Sequence, residues 1–328
     1  DKYLEGALKG HGHVVFITGG PGRGKTVLMH EFARHAMAVR RDLLVASGSC
    51  NAFSGVGDPY LPFREVLEQL TGDVEARWAA GAITREHALR LWHSLPLATQ
   101  ALVETGQDLI DAFLPGVTLR ERAATYASAA APGDGAWLGR LQELVQRNTA
   151  RPRDPMLQQT ALFKQYVRVL GAVAHQRPVL LLIDDLQWID TGSTGLLFYL
   201  GRELSNGGCP VLIVGAYRPE EVAIGRPSTD FAQHPARSVW TGRRDRHPLE
   251  DVLAEIKRRS GDVWLDLAQA DASDGRRFVD ALLDTEPNRL EDSFRGALFQ
   301  RTGGHPLFTN ELLRAMRDQG DLLQDDAG

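Results

Sequence analysis

The chain is 328 residues long, 43% hydrophobic and 24% charged, with a formal net charge of −5 at pH 7. That size holds one large or two to three smaller domains with a sizeable core, and the charge argues for neither a nucleic-acid nor a membrane surface. Two cysteines, Cys50 and Cys209, exclude a disulfide framework, fit a reducing cytoplasm and are read as small core residues.

The longest apolar stretch, 179–183, is far short of the ~20 residues of a membrane span, and there is no signal peptide. The chain starts without Met, residues 1–10 read as the end of a helix, and 325–328 stop abruptly. A piece of a longer protein is expected. In chain order, a strand is predicted at 13–18. A helix follows at 25–40, with Leu28, Phe32, Ala36 and Val39 on one face. Next come a strand at 43–49 and a helix at 61–70. Between 72 and 153 the pattern is helical without a strand, with helices near 85–97, 100–113, 119–130 and 137–146. Trp78, Trp92 and Trp137 are read there as core. A helix at 157–175 leads to a strand at 179–184, a helix at 191–205, a strand at 211–216, a helix at 249–260 and a strand at 263–267. Three helices close the chain, at 273–283 (capped by Ser273), 290–301 and 306–317.

The strands are continuous apolar runs rather than alternating ones, as in a parallel sheet covered on both faces. The expected fold is an α/β P-loop NTPase with a three-layer parallel sheet, an all-helical insertion and a C-terminal helical lid module. The domains fall at 1–72 with 154–270, at 73–153, and at 271–328.

Gly19-Gly20-Pro21-Gly22-Arg23-Gly24-Lys25-Thr26 matches G-x-x-x-x-G-K-[ST] in full, between a predicted strand and a predicted helix. In that context backbone N–H groups and a helix N-terminus cradle phosphates. Lys25 reaches the β- and γ-phosphates and the Thr26 hydroxyl ligates Mg²⁺; Val27 completes the expected nucleotide contacts. The run 179–183 ends in Asp184-Asp185. Asp184 is expected to hold Mg²⁺ and Asp185 to act as general base on the attacking water. Arg218 follows the strand at 211–216 and is the candidate γ-phosphate sensor, because guanidinium binds phosphate oxygens bidentately. Trp188 and Asp190 either line this site or, for Asp190, cap the next helix. The basic run 237–247 is read as a solvated loop. No G-x-S-x-G, H-E-x-x-H or zinc spacing occurs.

Taken together, Gly19 to Thr26, Asp184-Asp185-Leu186-Gln187-Trp188-Ile189-Asp190, Arg218 after a strand, Gly303-Gly304-His305-Pro306-Leu307-Phe308 and Asp58-Pro59-Tyr60-Leu61-Pro62-Phe63-Arg64 resemble the STAND ATPases, an AAA+-related branch of the P-loop proteins. The likeness is nearest to the ATPase region of large LuxR-type transcription regulators and related multidomain signalling regulators, over about 12–317. It implies ATP and Mg²⁺ as ligands, with Pro306 on the adenine or ribose side and His305 close to the nucleotide. It implies a slowly hydrolysing molecular switch that binds ATP and ADP, and a cytoplasmic location is expected. The implied partners are flanking winged-helix, sensor and DNA-binding parts of a longer chain, and an ATP-dependent homo-oligomer; no direct nucleic-acid contact is expected of this piece. Two rival expectations stay open. One is a motor-like AAA+ ATPase acting on DNA, with Arg202 as the subunit-supplied finger. The other is a nucleotide-binding scaffold without hydrolysis.

Overall fold

The structure, a computed structural model, describes residues 2–51, 59–129, 136–150, 159–227, 244–269 and 272–323. Its main sheet contains β1 (His13–Thr18), β2 (Leu44–Ser49), β3 (Val179–Asp184), β4 (Val211–Tyr217) and β7 (Trp264–Asp266), all parallel. A short antiparallel pair, β5 (Arg226–Pro227) and β6 (Arg244–Asp245), precedes β7. Across the main sheet the order is β2-β3-β4-β1-β7, so β3 and β4 insert between β2 and β1. The sheet is thus α/β with a crossover connection at each step, as parallel pairing demands.

The central strands are apolar on both faces. Val179, Leu180, Leu181, Leu182 and Ile183 of β3 are each at most 2% exposed. Burying each such side chain contributes about 1.5–3 kcal/mol relative to leaving it in water. Side chains alternate across the sheet. One face carries Ile17, Val45, Leu180, Leu182, Leu212 and Val214, covered by α1 (Lys2–Leu8) and α2 (Lys25–Val39). The other face carries Val14, Phe16, Leu44, Ala46, Leu181 and Ile183, covered by α3 (Leu61–Leu70), α9 (Gln159–Gln176), α10 (Thr191–Ser205) and α12 (Leu249–Ser260).

Between α3 and α9 lie α4 (Glu75–Ala79), α5 (Arg85–Trp92), α6 (Leu95–Thr105), α7 (Gly116–Ala129) and α8 (Ala136–Ala150). Their buried residues, among them Leu91, Leu102, Leu119 and Leu141, join the same core cluster as this second sheet face. Tyr60 helps to fasten the junction: its ring stacks on Phe113 at 4.9 Å, and Arg64 Nε donates to the Phe113 carbonyl at 3.3 Å. The segment at 59–64 therefore builds the joint between sheet and insertion; Asp58 lies outside the described residues. After α11 (Pro219–Ile224) and the strands, α13 (Ala272–Leu283), α14 (Asp292–Thr302) and α15 (Pro306–Gln319) pack around a small core of Val279, Leu283 and Leu298. Among the described residues, no helix is long and apolar enough to cross a membrane.

Several local expectations are corrected. The buried face of α2 is Met29, Ala33 and Ala36, whereas Val39 is 67% exposed and Leu28 lies at the surface. Trp78 is 51% exposed rather than core, since α4 buries no residue; Trp137 is buried and Trp92 half-buried, its ring beside Tyr126. The helix expected at 85–97 breaks at Ser94, whose Oγ donates to the Leu70 and Leu91 carbonyls, ahead of Pro96 in the first turn of α6. The helix expected at 100–113 ends at Thr105, because Gly106 turns the chain into a short 3-10 segment, Gln107–Leu109. Ser273 sits inside the first turn of α13 instead of capping it. Cys50 is buried and Cys209 half-buried. Burial pushes both thiols up, Cys209 to about 11, so neither is a thiolate at neutral pH.

Candidate functional site

β1 ends at Thr18 and α2 begins at Lys25, so the glycine-rich residues form the turn between them. Gly22 (φ 70°) and Gly24 (φ 84°) occupy the left-handed region, where any residue with a Cβ is strained by roughly 1–2 kcal/mol. Gly24 sits at the N-cap of α2 and brings no side chain to cap it, which leaves the first-turn N–H groups for an anion. Gly19 is buried, Gly20 and Arg23 are half-buried, and Pro21 is at the surface.

Lys25 is 7% exposed, and its Nζ donates to the carbonyls of Gly19 (2.8 Å) and Gly20 (2.9 Å). The ammonium is thereby folded over the turn it follows. Burial, with the charge of Arg218, pushes the Lys25 pKa down, while Asp184 and Asp185 pull it back. These two carboxylates and Arg218 thus act on Lys25 electrostatically, although they are far from it in sequence.

Sheet order explains the convergence. β4 lies between β1 and β3, and Thr18 pairs with Tyr217 in register, so Arg218 leaves the sheet beside the glycine turn. β3 ends one strand further on. There Asp184 Oδ2 accepts from Thr26 Oγ1 at 2.6 Å, and its Oδ1 accepts from the Asp185 N–H at 2.8 Å. Both oxygens of Asp184 are therefore oriented. Asp185 adopts φ 54° and opens a 3-10 turn, Leu186–Trp188. Asp and Asn tolerate that left-handed conformation better than most residues.

The Arg218 guanidinium pairs with Glu221 at 2.6 Å, one turn along α11. Its Nε and Glu221 Oε2 are buried without a hydrogen-bond partner. Asp190 caps α10, its Oδ1 accepting from the Ser193 N–H at 2.9 Å, while Trp188 is 39% exposed. Capping is the geometry of Asp190 here. Arg202 lies in the last turn of α10, its guanidinium 6.0 Å from the Phe198 ring on the same helix.

The C-terminal helices reach the same turn. The Leu307 N–H donates to the Gly22 carbonyl at 3.3 Å, and a Cβ on Gly22 would lie 2.6 Å from Leu307 Cβ and 3.0 Å from His305 Cε1. Pro306 opens α15, its Cγ 3.9 Å from where a Gly24 Cβ would stand. The His305 ring stacks on Phe308 at 4.4 Å, and its Nδ1 is buried without a hydrogen-bond partner. Burial and the Arg23 charge hold His305 below its usual pKa, against a smaller opposing effect of the Pro21 and His305 backbone. Val27 projects outward and is 72% exposed.

Residues 1–214 match the family model of the AAA ATPase domain. The chain belongs to that family. No curated protein matches it. As an AAA ATPase domain it is a P-loop nucleotide-binding chain of the ATPase class, and the matched span takes in the glycine turn and the end of β3. Arg218 and α13–α15 lie beyond the matched residues.

The side chains fit the nucleotide and the Mg²⁺ that AAA ATPase domains employ. Thr26 and Asp184 already share a hydrogen bond, so a hydroxyl and a carboxylate oxygen stand side by side at the start of α2. Among the described residues there is no group of three or more ligating side chains, and Mg²⁺ bound through phosphates and water does not need one.

One contributor is named from the sequence only as part of the resembling run 184–190, with no role of its own. Gln187 is 2% exposed; its Nε2 donates to Asp185 Oδ1 at 2.7 Å, and its Oε1 accepts from the Arg218 N–H at 3.2 Å. The available signal was an amide set between Leu186 and Ile189, both fully buried. Its partners become visible only once β3 and β4 are neighbours.

Proposed function

We propose that this AAA ATPase domain is an ATP-driven molecular switch. One observation carries the reading: the turn that would hold the phosphates is in direct contact with α15, through Leu307 N–H to Gly22 O and through the close approach of Leu307 and His305 to Gly22. A change in the turn's backbone is thereby transmitted to the C-terminal helices.

Gly19 to Gly24 and the α2 N-terminus would bind the phosphate chain, and Lys25 would exchange its carbonyl partners for β- and γ-phosphate oxygens. Thr26 and Asp184 would hold Mg²⁺, which supplies charge neutralisation on the phosphate oxygens. Asp185 orients a water and takes its proton. The water oxygen bonds to the γ-phosphorus as the bond to the β,γ-bridging oxygen breaks, giving ADP and inorganic phosphate. Arg218, held at the strand end by its own ion pair with Glu221, would respond to the γ-phosphate. His305 and Pro306 would report the nucleotide to α13–α15. The likeness to STAND regulators supports a regulatory output, carried by further parts of a longer chain.

The test couples turnover to movement. Phosphate release should be slow, fall by about 100-fold or more in Asp185→Asn, and gain nothing from added DNA. Hydrogen exchange at 303–310 should differ between the ATP- and ADP-bound protein. Fast, DNA-stimulated turnover would instead favour a motor. Identical exchange in the two nucleotide states would remove the switch.

A further inference from the structure

Gln187 joins the ends of two strands by bonds of fixed polarity. The backbone N–H of Arg218 can only donate, so the Gln187 atom facing it is the carbonyl oxygen, at 3.2 Å. The remaining amide nitrogen then faces Asp185 Oδ1 at 2.7 Å, where a carboxylate requires a donor. The orientation of the amide therefore follows from its partners.

His247 extends the chain of bonds. The Leu249 N–H donates to its Nδ1 at 3.1 Å, which makes Nδ1 the acceptor and leaves the proton on Nε2. Nε2 in turn meets the Gln187 backbone carbonyl at 2.9 Å. His247 is 2% exposed and precedes α12, so a third element braces the turn that carries Gln187. Leu186, also fully buried, would lie 2.5 Å from a Cβ on Gly215 in β4, and this close packing keeps the turn against that strand.

The geometry points to Gln187 as a positioning residue for hydrolysis: it fixes the Asp185 carboxylate and ties it to the backbone at Arg218, so that the water-orienting group and the γ-phosphate-sensing strand end move together. This rests on the role proposed above for Asp185. Asp185 is half-buried, with solvent within reach of its carboxylate, and one hydrogen bond from a buried amide holds that carboxylate in place. The buried amide is also costly unless both ends are paired, so its presence between two strand ends is explained by what it pairs. A misplaced reacting group loses about 100-fold in rate per ångström.

The test is a double-mutant cycle on the whole chain, reading ATP affinity and turnover separately. Gln187→Met keeps the volume and removes both polar atoms. We expect kcat to fall by about 10- to 100-fold, with ATP affinity within about twofold of wild type and an unchanged melting temperature. In an Asp185→Asn background the same substitution should add no further loss, because the group it positions is already disabled. Gln187→Glu should lose at least as much as Gln187→Met, since it opposes two carboxylates. If Gln187→Met lowers turnover equally in both backgrounds, or leaves kcat intact while Asp185→Asn abolishes turnover, the positioning role is overturned and the role of Asp185 stands. If Asp185→Asn leaves wild-type turnover unchanged, both are overturned together.

Discussion

Gly22 is where the chemistry of one residue bears on two parts of the molecule. Its φ of 70° and its approach to Leu307 leave no room for a Cβ, which would stand 2.6 Å from Leu307 Cβ. Gly22→Ala therefore meets backbone strain and a steric clash at once, and should destabilise the protein by about 1–3 kcal/mol. The expected readout is a lower melting temperature together with faster proteolysis within α15, because the helix must withdraw to make space. An unchanged melting temperature with unchanged proteolysis would mean that α15 does not rest on the turn. At this scale Gly19 to Thr26 were legible, since the spacing of glycines, lysine and threonine is itself the mechanical requirement. Asp184 and Arg218 could be nominated from strand ends alone. Gln187 could not, because its meaning depends on β3 and β4 being neighbours, and no local pattern states which strands are adjacent.

At the scale of elements, α5 is fastened to the edge strand β2 by a titratable side chain. His87 Nε2 donates to the Val45 carbonyl at 2.8 Å, and burial holds its pKa below 6.5 despite that bond, with the Arg90, His30 and Arg77 charges adding in the same direction. The unfolded chain therefore takes up a proton below pH 6.5 that the folded chain refuses. Its contribution to stability is complete above pH 6.5 and is lost as pH falls from there toward the lower folded value. The urea midpoint should drop between pH 7.5 and 5.5, and His87→Gln, which keeps a donor for Val45, should drop by less. Other histidines with lowered pKa, His13 and His305, share the wild-type effect, so the difference between the two proteins is the measurement. Equal drops would show that His87 is not a source of the dependence. Element types were legible where apolar periodicity was long, as in β3 and α9. Boundaries failed at Ser94 and Gly106, where a side-chain hydrogen bond and a glycine stop helices that composition alone would continue. The buried face of α2 was misread because Met29, Ala33 and Ala36 are the residues that pack against the sheet, whereas Val39, the last residue of the helix, is 67% exposed.

Across the whole molecule, the arrangement gathers groups from five places in the chain around the start of α2. The glycine turn follows β1, Asp184 and Asp185 end β3, Arg218 follows β4, Gln187 bridges the last two, and His305 to Leu307 arrive from α15. The sequence made the sheet and its phosphate turn readable, because both are local patterns. It left the seating of α13–α15 on the turn to resemblance, because that contact joins residues nearly 300 apart. Together these groups form the proposed ATP site, with Lys25 as its anchor. Calorimetric titration of ATP with Mg²⁺ into the wild-type chain and into Lys25→Ala tests it most directly. The wild type should bind saturably and the variant should lose about 100-fold or more in affinity, roughly 3 kcal/mol at 1.4 kcal/mol per tenfold. Equal affinity in the two proteins would contradict it.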